Sequence, residues 1–89
     1  GELLALEMTQ AANNLDEALL ERRLADTSME AVEENLRMSR RQYEAGLETL
    51  SDYLEAQAVW QQASRTQVEA RIGSYLRWLE YRKAAGLLD

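Results

Sequence analysis

The sequence contains no cysteine, no histidine and no proline among its 89 residues. Without cysteine and histidine it has no disulfide, no thiol or imidazole nucleophile and none of the usual zinc ligands. We therefore predict that the chain is not an enzyme and that it holds no metal and no cofactor. A chain without cysteine suits reducing and oxidising compartments alike, so the redox compartment stays open.

Positive charge is also scarce. Ten Lys and Arg residues stand against sixteen Asp and Glu residues, which gives a formal charge of -6 and a pI near 4.6. This sign is wrong for displacing counterions from nucleic acid, so DNA and RNA are not expected partners. No apolar run approaches the roughly 18 residues that a membrane-spanning helix needs. Because the chain starts with Gly1 and shows no pattern of a signal peptide, we expect a fragment of a longer protein.

Few residues in the chain can stop a helix. Glycine occurs only at positions 1, 46, 73 and 86, and the residues between are mainly good helix formers such as Ala, Leu, Glu, Arg and Gln. No segment alternates apolar and polar residues over the length of a strand. The predicted fold class is therefore all-α. Residues 1–89 form one long antiparallel helical hairpin with coiled-coil packing: a helix over about 2–45, a tip at about 46–50 and a helix over about 51–85.

The first helix carries one long apolar stripe. Alternating steps of four and three residues give twelve positions, ten of which are apolar or aromatic. A 3.5-residue repeat of this length is typical of coiled-coil packing. A capping-box pattern at Thr27 and Glu30 offers an alternative helix break, but the stripe runs through it without a slip. The stripe consists of Leu4, Met8, Ala11, Leu15, Ala18, Arg22, Ala25, Met29, Val32, Leu36, Ser39 and Tyr43.

The second helix has apolar residues over a wider arc. Ala56, Ala63 and Ala70 lie seven residues apart, which allows another helix to approach closely. Two larger stripes lie on the same helix, and one antiparallel partner cannot cover all of this surface. We expect the isolated chain to self-associate, for example as a four-helix dimer. The stripes are Leu54, Ala58, Val68, Ile72, Tyr75 and Leu79, and Leu50, Tyr53, Trp60, Trp78, Tyr81 and Ala85.

The tip has the residues of a tight helix-to-helix turn. Gly46 suits the left-handed residue that ends a helix, and Leu47 can fold back on the last turn. Thr49 and Asp52 fit the capping box that begins the next helix. Residues 44–55 contain four acids and no base, whereas residues 65–83 contain five bases and two acids. The tip is thus acidic and the far end of the second helix is basic.

The residues around this tip, together with the end of the second helix, resemble the outer-membrane efflux protein (TolC) family. The shared pattern is Asn35-Leu36, then Tyr43-x-x-Gly46, a hydroxyl residue, Asp52, Leu54 and Ala56-Gln57. In that family it marks the periplasmic tip of a long helical hairpin. The resemblance covers residues from about 30 to 88, including the ending Ala-Gly-Leu-Leu, and reaches residues 1–29 only through their coiled-coil pattern.

The resemblance implies that the chain is part of an outer-membrane efflux channel. The parent would be a homotrimer whose outer-membrane β-barrel continues as an α-helical barrel across the periplasm, and this hairpin would be one piece of that periplasmic barrel. Ala45, Gly46 and Leu47 match the turn that docks on a periplasmic adaptor, a membrane-fusion protein that leads to an inner-membrane pump. Conduction would be passive once docking dilates the entrance.

Three residues match positions at the entrance of the family's channel. Asp52 and Glu55 match acids that ring the periplasmic aperture, where converging carboxylates favour cations and repel one another. Tyr43 matches a tyrosine that holds the entrance closed, but the basic partner expected two residues after the glycine is Glu48 here. A purely structural interpretation of the two acids also stays open, in which Asp52 caps a helix and Glu55 lies on a solvated helix face.

Other functions compete with the channel. A coiled-coil interaction module, such as an adaptor hairpin or a sensor dimerisation domain, would share the stripes but not the tip pattern. A carboxylate metal site at Glu30, Glu33 and Glu34 lacks a Glu-x-x-His motif, so a solvated helix face is the simpler interpretation. The tryptophans and tyrosines of the second helix, at helical spacing, are expected to pack rather than to form a membrane belt.

Overall fold

The computed structural model describes residues 1–86 and contains two long helices. Helix α1 spans Glu2–Glu44 and helix α2 spans Leu50–Gly86. They pack side by side and antiparallel in a rod with extents of 67 × 14 × 14 Å. The predicted all-α helical hairpin is confirmed. Leu87 and Leu88, which belong to the family resemblance, lie outside the described residues.

Helix α1 is continuous across the alternative break. Thr27 and Glu30 are both helical, and no interruption occurs between Glu2 and Glu44. Ala25 and Met29 on either side of Thr27 are buried against α2. The contact with α2 therefore continues through this region. A helix break at Thr27 would lose this buried contact, and the hydrogen bonds of a capping box would not compensate for that loss.

The α1 stripe faces α2 as predicted. Ten of its twelve positions are buried or half-buried, whereas Arg22 and Tyr43 are exposed. The most buried side chains of the whole hairpin are nevertheless small, with Met29 the only large one among residues 1–86. They are Ala18, Ala25, Met29 and Ser39 from α1 and Ala56 and Ser74 from α2.

Helix α2 turns its small residues toward α1. Ala56 is buried, and Ala63 and Ala70 are half-buried at intervals of seven residues, so the helix that they were predicted to admit is α1 itself. Arg77 occupies the next position at this spacing, seven residues after Ala70, and its guanidinium lies 3.2 Å from the Glu80 carboxylate. Tyr53, Trp60 and Tyr81 are half-buried beside this seam, whereas most other large apolar side chains of α2 are exposed.

The large apolar side chains lie mostly on the outside. At about 100° per residue, the outward positions of each helix lie roughly opposite those that face the sister helix. We name these two surfaces the outer edge of α1 and the outer edge of α2. The outer edge of α1 comprises Leu3, Leu6, Leu20, Leu24 and Met38, and that of α2 comprises Leu54, Ala58, Val68, Ile72, Tyr75 and Leu79, all of them exposed.

A polar clasp joins the two helices near mid-length. Gln67 Nε2 donates a hydrogen bond of 2.8 Å to Asp26 Oδ1, and an Arg71 guanidinium nitrogen lies 3.3 Å from the same oxygen. The hydrogen bond from Gln67 holds the pKa of Asp26 below its usual value, assisted by the charges of Arg71 and Arg22 and opposed by desolvation. Because both partners lie on α2, the clasp favours one register of the hairpin.

Neither helix has the combination of length and apolarity that a membrane span requires within residues 1–86. Charged residues interrupt every apolar segment of the two helices.

Candidate functional site at the hairpin tip

The end of α1 is a Schellman turn centred on Gly46. Gly46 has a φ of +77°, the left-handed conformation that was predicted for it. The Gly46 amide donates to the Tyr43 carbonyl at 3.0 Å, and the Leu47 amide donates to the Gln42 carbonyl at 2.7 Å. These two bonds satisfy the last carbonyls of the helix and define the path of the chain into the tip.

The side chain of Leu47 projects from the tip. It is 79% exposed, the highest exposure of any large apolar residue described. The expectation that Leu47 folds back on the last turn is therefore wrong. In a Schellman turn the apolar partner would come from the helix position that receives the Leu47 amide bond, and Gln42 offers no apolar surface there.

The start of α2 is a reciprocal capping box. The Asp52 amide donates to Thr49 Oγ1 at 3.1 Å, and the Thr49 amide lies 3.4 Å from Asp52 Oδ2. Both bonds satisfy amides that have no partner within the helix, and the Asp52 charge is favourable at this end of the helix dipole. Asp52 therefore caps the N-terminus of α2, which is the structural role considered for it.

Aromatic and polar contacts tie the two sides of the tip together. The rings of Tyr43 and Tyr53 stack at 5.4 Å with 11° between their planes. Ser39 Oγ, which is buried, donates a hydrogen bond to Glu48 Oε2. The short connection is thus braced on both helices, which makes the tip a preorganised surface.

Three carboxylates share one shallow groove beside the tip. Glu48, Asp52 and Glu55 line it together, so the structure brings the two predicted entrance acids to the same side of the hairpin. Tyr43, the third predicted entrance residue, is not among the groove residues, and its ring stacks on Tyr53. The remaining lining residues are Asn35, Ser39, Ala56 and Val59.

Other charged residues near the tip form surface ion pairs. Arg40 Nε lies 3.0 Å from Glu44 Oε1, and Arg37 lies 2.6 Å from Glu34, whose pKa is lowered by this hydrogen bond. All four side chains are more than half exposed, so these pairs contribute little to stability. No group of three acids in residues 1–86 has the geometry of a metal site.

Two residues of the tip were not identified from the sequence. Ser39 was assigned to the apolar stripe, and Glu48 was noted only as a departure from the family pattern. Their hydrogen bond spans nine residues and exists only once the chain has doubled back. The nearest signal in the sequence is a hydroxyl residue at an interface position, which needs a polar partner when it is buried.

Comparison of the chain with protein-family models, with curated proteins and with solved structures finds no significant match.

Proposed function

We propose that this hairpin is a wall element of the periplasmic helical barrel of an outer-membrane efflux channel, and that its tip docks on a periplasmic adaptor. The observation that carries the proposal is the number of large apolar residues left exposed: Leu15, Met29 and Leu36 face the sister helix, but two further rows of large apolar side chains occupy the outer edges. A hairpin that functioned alone would place its large apolar residues inside.

The two outer edges suit a layer of helices. Each helix has one surface for its sister and a second apolar surface roughly opposite, so further helices can be added on both sides. Repeating this arrangement gives a sheet of helices that closes into a barrel, in which each helix contacts a neighbour on either side. A two-helix sensor or an isolated coiled coil needs only one such surface.

The tip has properties that suit end-on docking. Leu47 presents an exposed apolar side chain on a turn whose backbone is held by two hydrogen bonds. A rigid turn loses little conformational entropy on binding, and an apolar anchor of this kind is a common source of affinity. These features support Ala45, Gly46 and Leu47 as the adaptor-contacting residues.

The acidic groove supports an entrance role for Asp52 and Glu55. Both carboxylates lie on one side of the tip together with Glu48, so symmetry-related copies of this hairpin would bring several negative charges to one aperture. Such a ring favours cations and resists closure through mutual repulsion. Because Tyr43 is engaged by Tyr53, we do not assign it a latch to a neighbouring hairpin.

Cysteine accessibility in the intact protein tests the wall-element proposal. These 89 residues contain no cysteine, so a thiol introduced at Ile72 on the outer edge of α2, or at Thr66, an exposed residue off that edge, is the single thiol of this hairpin. In cell envelopes, a polar thiol reagent should label T66C and leave I72C protected, whereas denatured protein should be labelled at both positions. Equal, rapid labelling of both variants in the native envelope would contradict the proposal.

A further inference from the structure

The outer edge of α2 is the more continuous of the two apolar edges. Between Val68 and Leu79 its large side chains follow one another at helical spacing, and all of them are exposed. The outer edge of α1 has two gaps of thirteen residues, between Leu6 and Leu20 and between Leu24 and Met38, whereas the outer edge of α2 has one gap of nine residues, between Ala58 and Val68. In a solution that contains only this chain, the most continuous apolar surface that can cover the outer edge of α2 is therefore the same edge of a second copy.

We infer that the outer edge of α2 is a self-association surface through which two copies of this 89-residue chain pair antiparallel, with the tip of one beside the open end of the other. This inference concerns the chain itself and does not rest on the proposed channel function. A contact that uses the same edge twice is isologous, so association stops at the dimer.

Charge selects the antiparallel orientation. Asp52 and Glu55 lie at the start of α2, whereas Arg82 and Lys83 lie near its end. In a parallel pair the acids of both copies would meet, and so would the bases. In an antiparallel pair the acids of each copy lie beside the bases of the other, which lowers the electrostatic energy and discriminates against the parallel form.

The two ends of the edge are self-complementary in this orientation. When two α2 helices cross antiparallel about the midpoint between Thr66 and Gln67, Leu54 lies opposite Leu79 of the second copy. Ala58 lies opposite Tyr75, so a small side chain meets a large one, as interdigitated packing requires. Nearer the centre, Gln61 lies opposite Ile72 and Arg65 lies opposite Val68, so there a polar side chain meets an apolar one.

Two polar residues, Gln61 and Arg65, interrupt the edge, and Arg65 gains an acidic neighbour in the second copy. Arg65 and Glu69 are both exposed, and Arg65 contacts only Gln62 among the hydrogen bonds of residues 1–86. Antiparallel pairing brings Arg65 of each copy next to Glu69 of the other. Two symmetric ion pairs then occupy the part of the edge that is least apolar.

Covalent capture tests the orientation. A dimer of this kind should have twice the 10.2 kDa mass of the chain in sedimentation equilibrium. When A58C and Y75C variants are mixed and oxidised, the mixed disulfide should form readily. A58C alone should form little disulfide, because its two copies would lie about 26 Å apart at 1.5 Å per residue.

Charge exchange tests the central ion pairs. R65E and E69K each place like charges opposite one another, so each variant alone should dimerise about tenfold more weakly than the native chain. An equimolar mixture should recover the association, since each copy then faces its complement. Circular dichroism of each variant separates a loss of helicity from a loss of association.

Three results would overturn the inference. One is a monomer mass at all concentrations up to about 1 mM, where even weak dimers form. Another is a disulfide between two A58C copies, which would show parallel pairing. The third is association without any 58-to-75 disulfide, or with masses beyond the dimer, which would show that the outer edge of α1 takes part instead.

Discussion

The ring of Tyr43, at the end of α1, lies almost parallel to the ring of Tyr53 in the first turns of α2, with 5.4 Å between the centroids. This stack spans the tip and adds an aromatic contact to a hairpin in which Met29 is the only buried large apolar side chain among residues 1–86. It also occupies a tyrosine that the family resemblance assigned to a contact with a neighbouring helix.

Loss of either ring should destabilise the hairpin. We expect Y43L and Y53L to show a coupling of about 0.5–1 kcal/mol in a double-mutant cycle, because stacked aromatic pairs contribute roughly this much beyond their burial. Urea unfolding at one fixed chain concentration measures it, since self-association also affects stability. Y43F serves as a control that keeps the stack, and a coupling near zero would show that the two rings act independently.

Two glycines should respond oppositely to alanine. Gly46 has a φ of +77°, so G46A should cost about 1–2 kcal/mol in the free energy of unfolding. Gly73 lies inside α2 with open space around the position of a Cβ atom, so G73A should stabilise by about 0.5–1 kcal/mol. Thermal unfolding of the two variants provides the comparison. A destabilising G73A would indicate that another helix approaches closely at this point.

The clasp at Asp26 should make part of the stability dependent on pH. Because its pKa is lower in the folded hairpin, the carboxylate favours folding at neutral pH, and this contribution is lost as the pH falls below about 4 through the folded pKa. D26N should therefore be destabilising at pH 7, and its difference from the native chain should shrink in acid. D16N, at an exposed carboxylate of α1, is the matched control. A pH-independent effect of D26N would contradict the assignment.

Much of the hairpin could be predicted from the sequence, because its signals are local or periodic. The 3.5-residue stripe on α1 runs from Leu4 without a slip and so identified the face that packs on α2. The left-handed Gly46 and the reciprocal bonds of Thr49 and Asp52 follow from turn and cap chemistry within a few residues. Both helices end within one residue of the predicted bounds.

The remaining features depend on how the two helices meet. Helix α2 carries apolar residues on more than one side, so periodicity alone could not show that its alanine seam would face α1. The Asp26 clasp and the Ser39 bond to Glu48 require the register of the hairpin, which joins residues far apart in the sequence. The exposure of Leu47 is a local feature by contrast, because the Schellman turn pairs Leu47 with the polar Gln42, and the sequence alone already contained this signal.

Photo-crosslinking from position 47 in the intact protein tests the central claim most directly. A photoreactive amino acid in place of Leu47, activated in the native cell envelope, should capture the hairpin tip of a periplasmic adaptor, and mass spectrometry identifies the captured peptide. The same probe at Asn14, in the opposite half of the hairpin, should not capture that peptide. Capture of a cytoplasmic protein by the probe at position 47, with no adaptor peptide, would contradict the channel assignment and favour a coiled-coil interaction module.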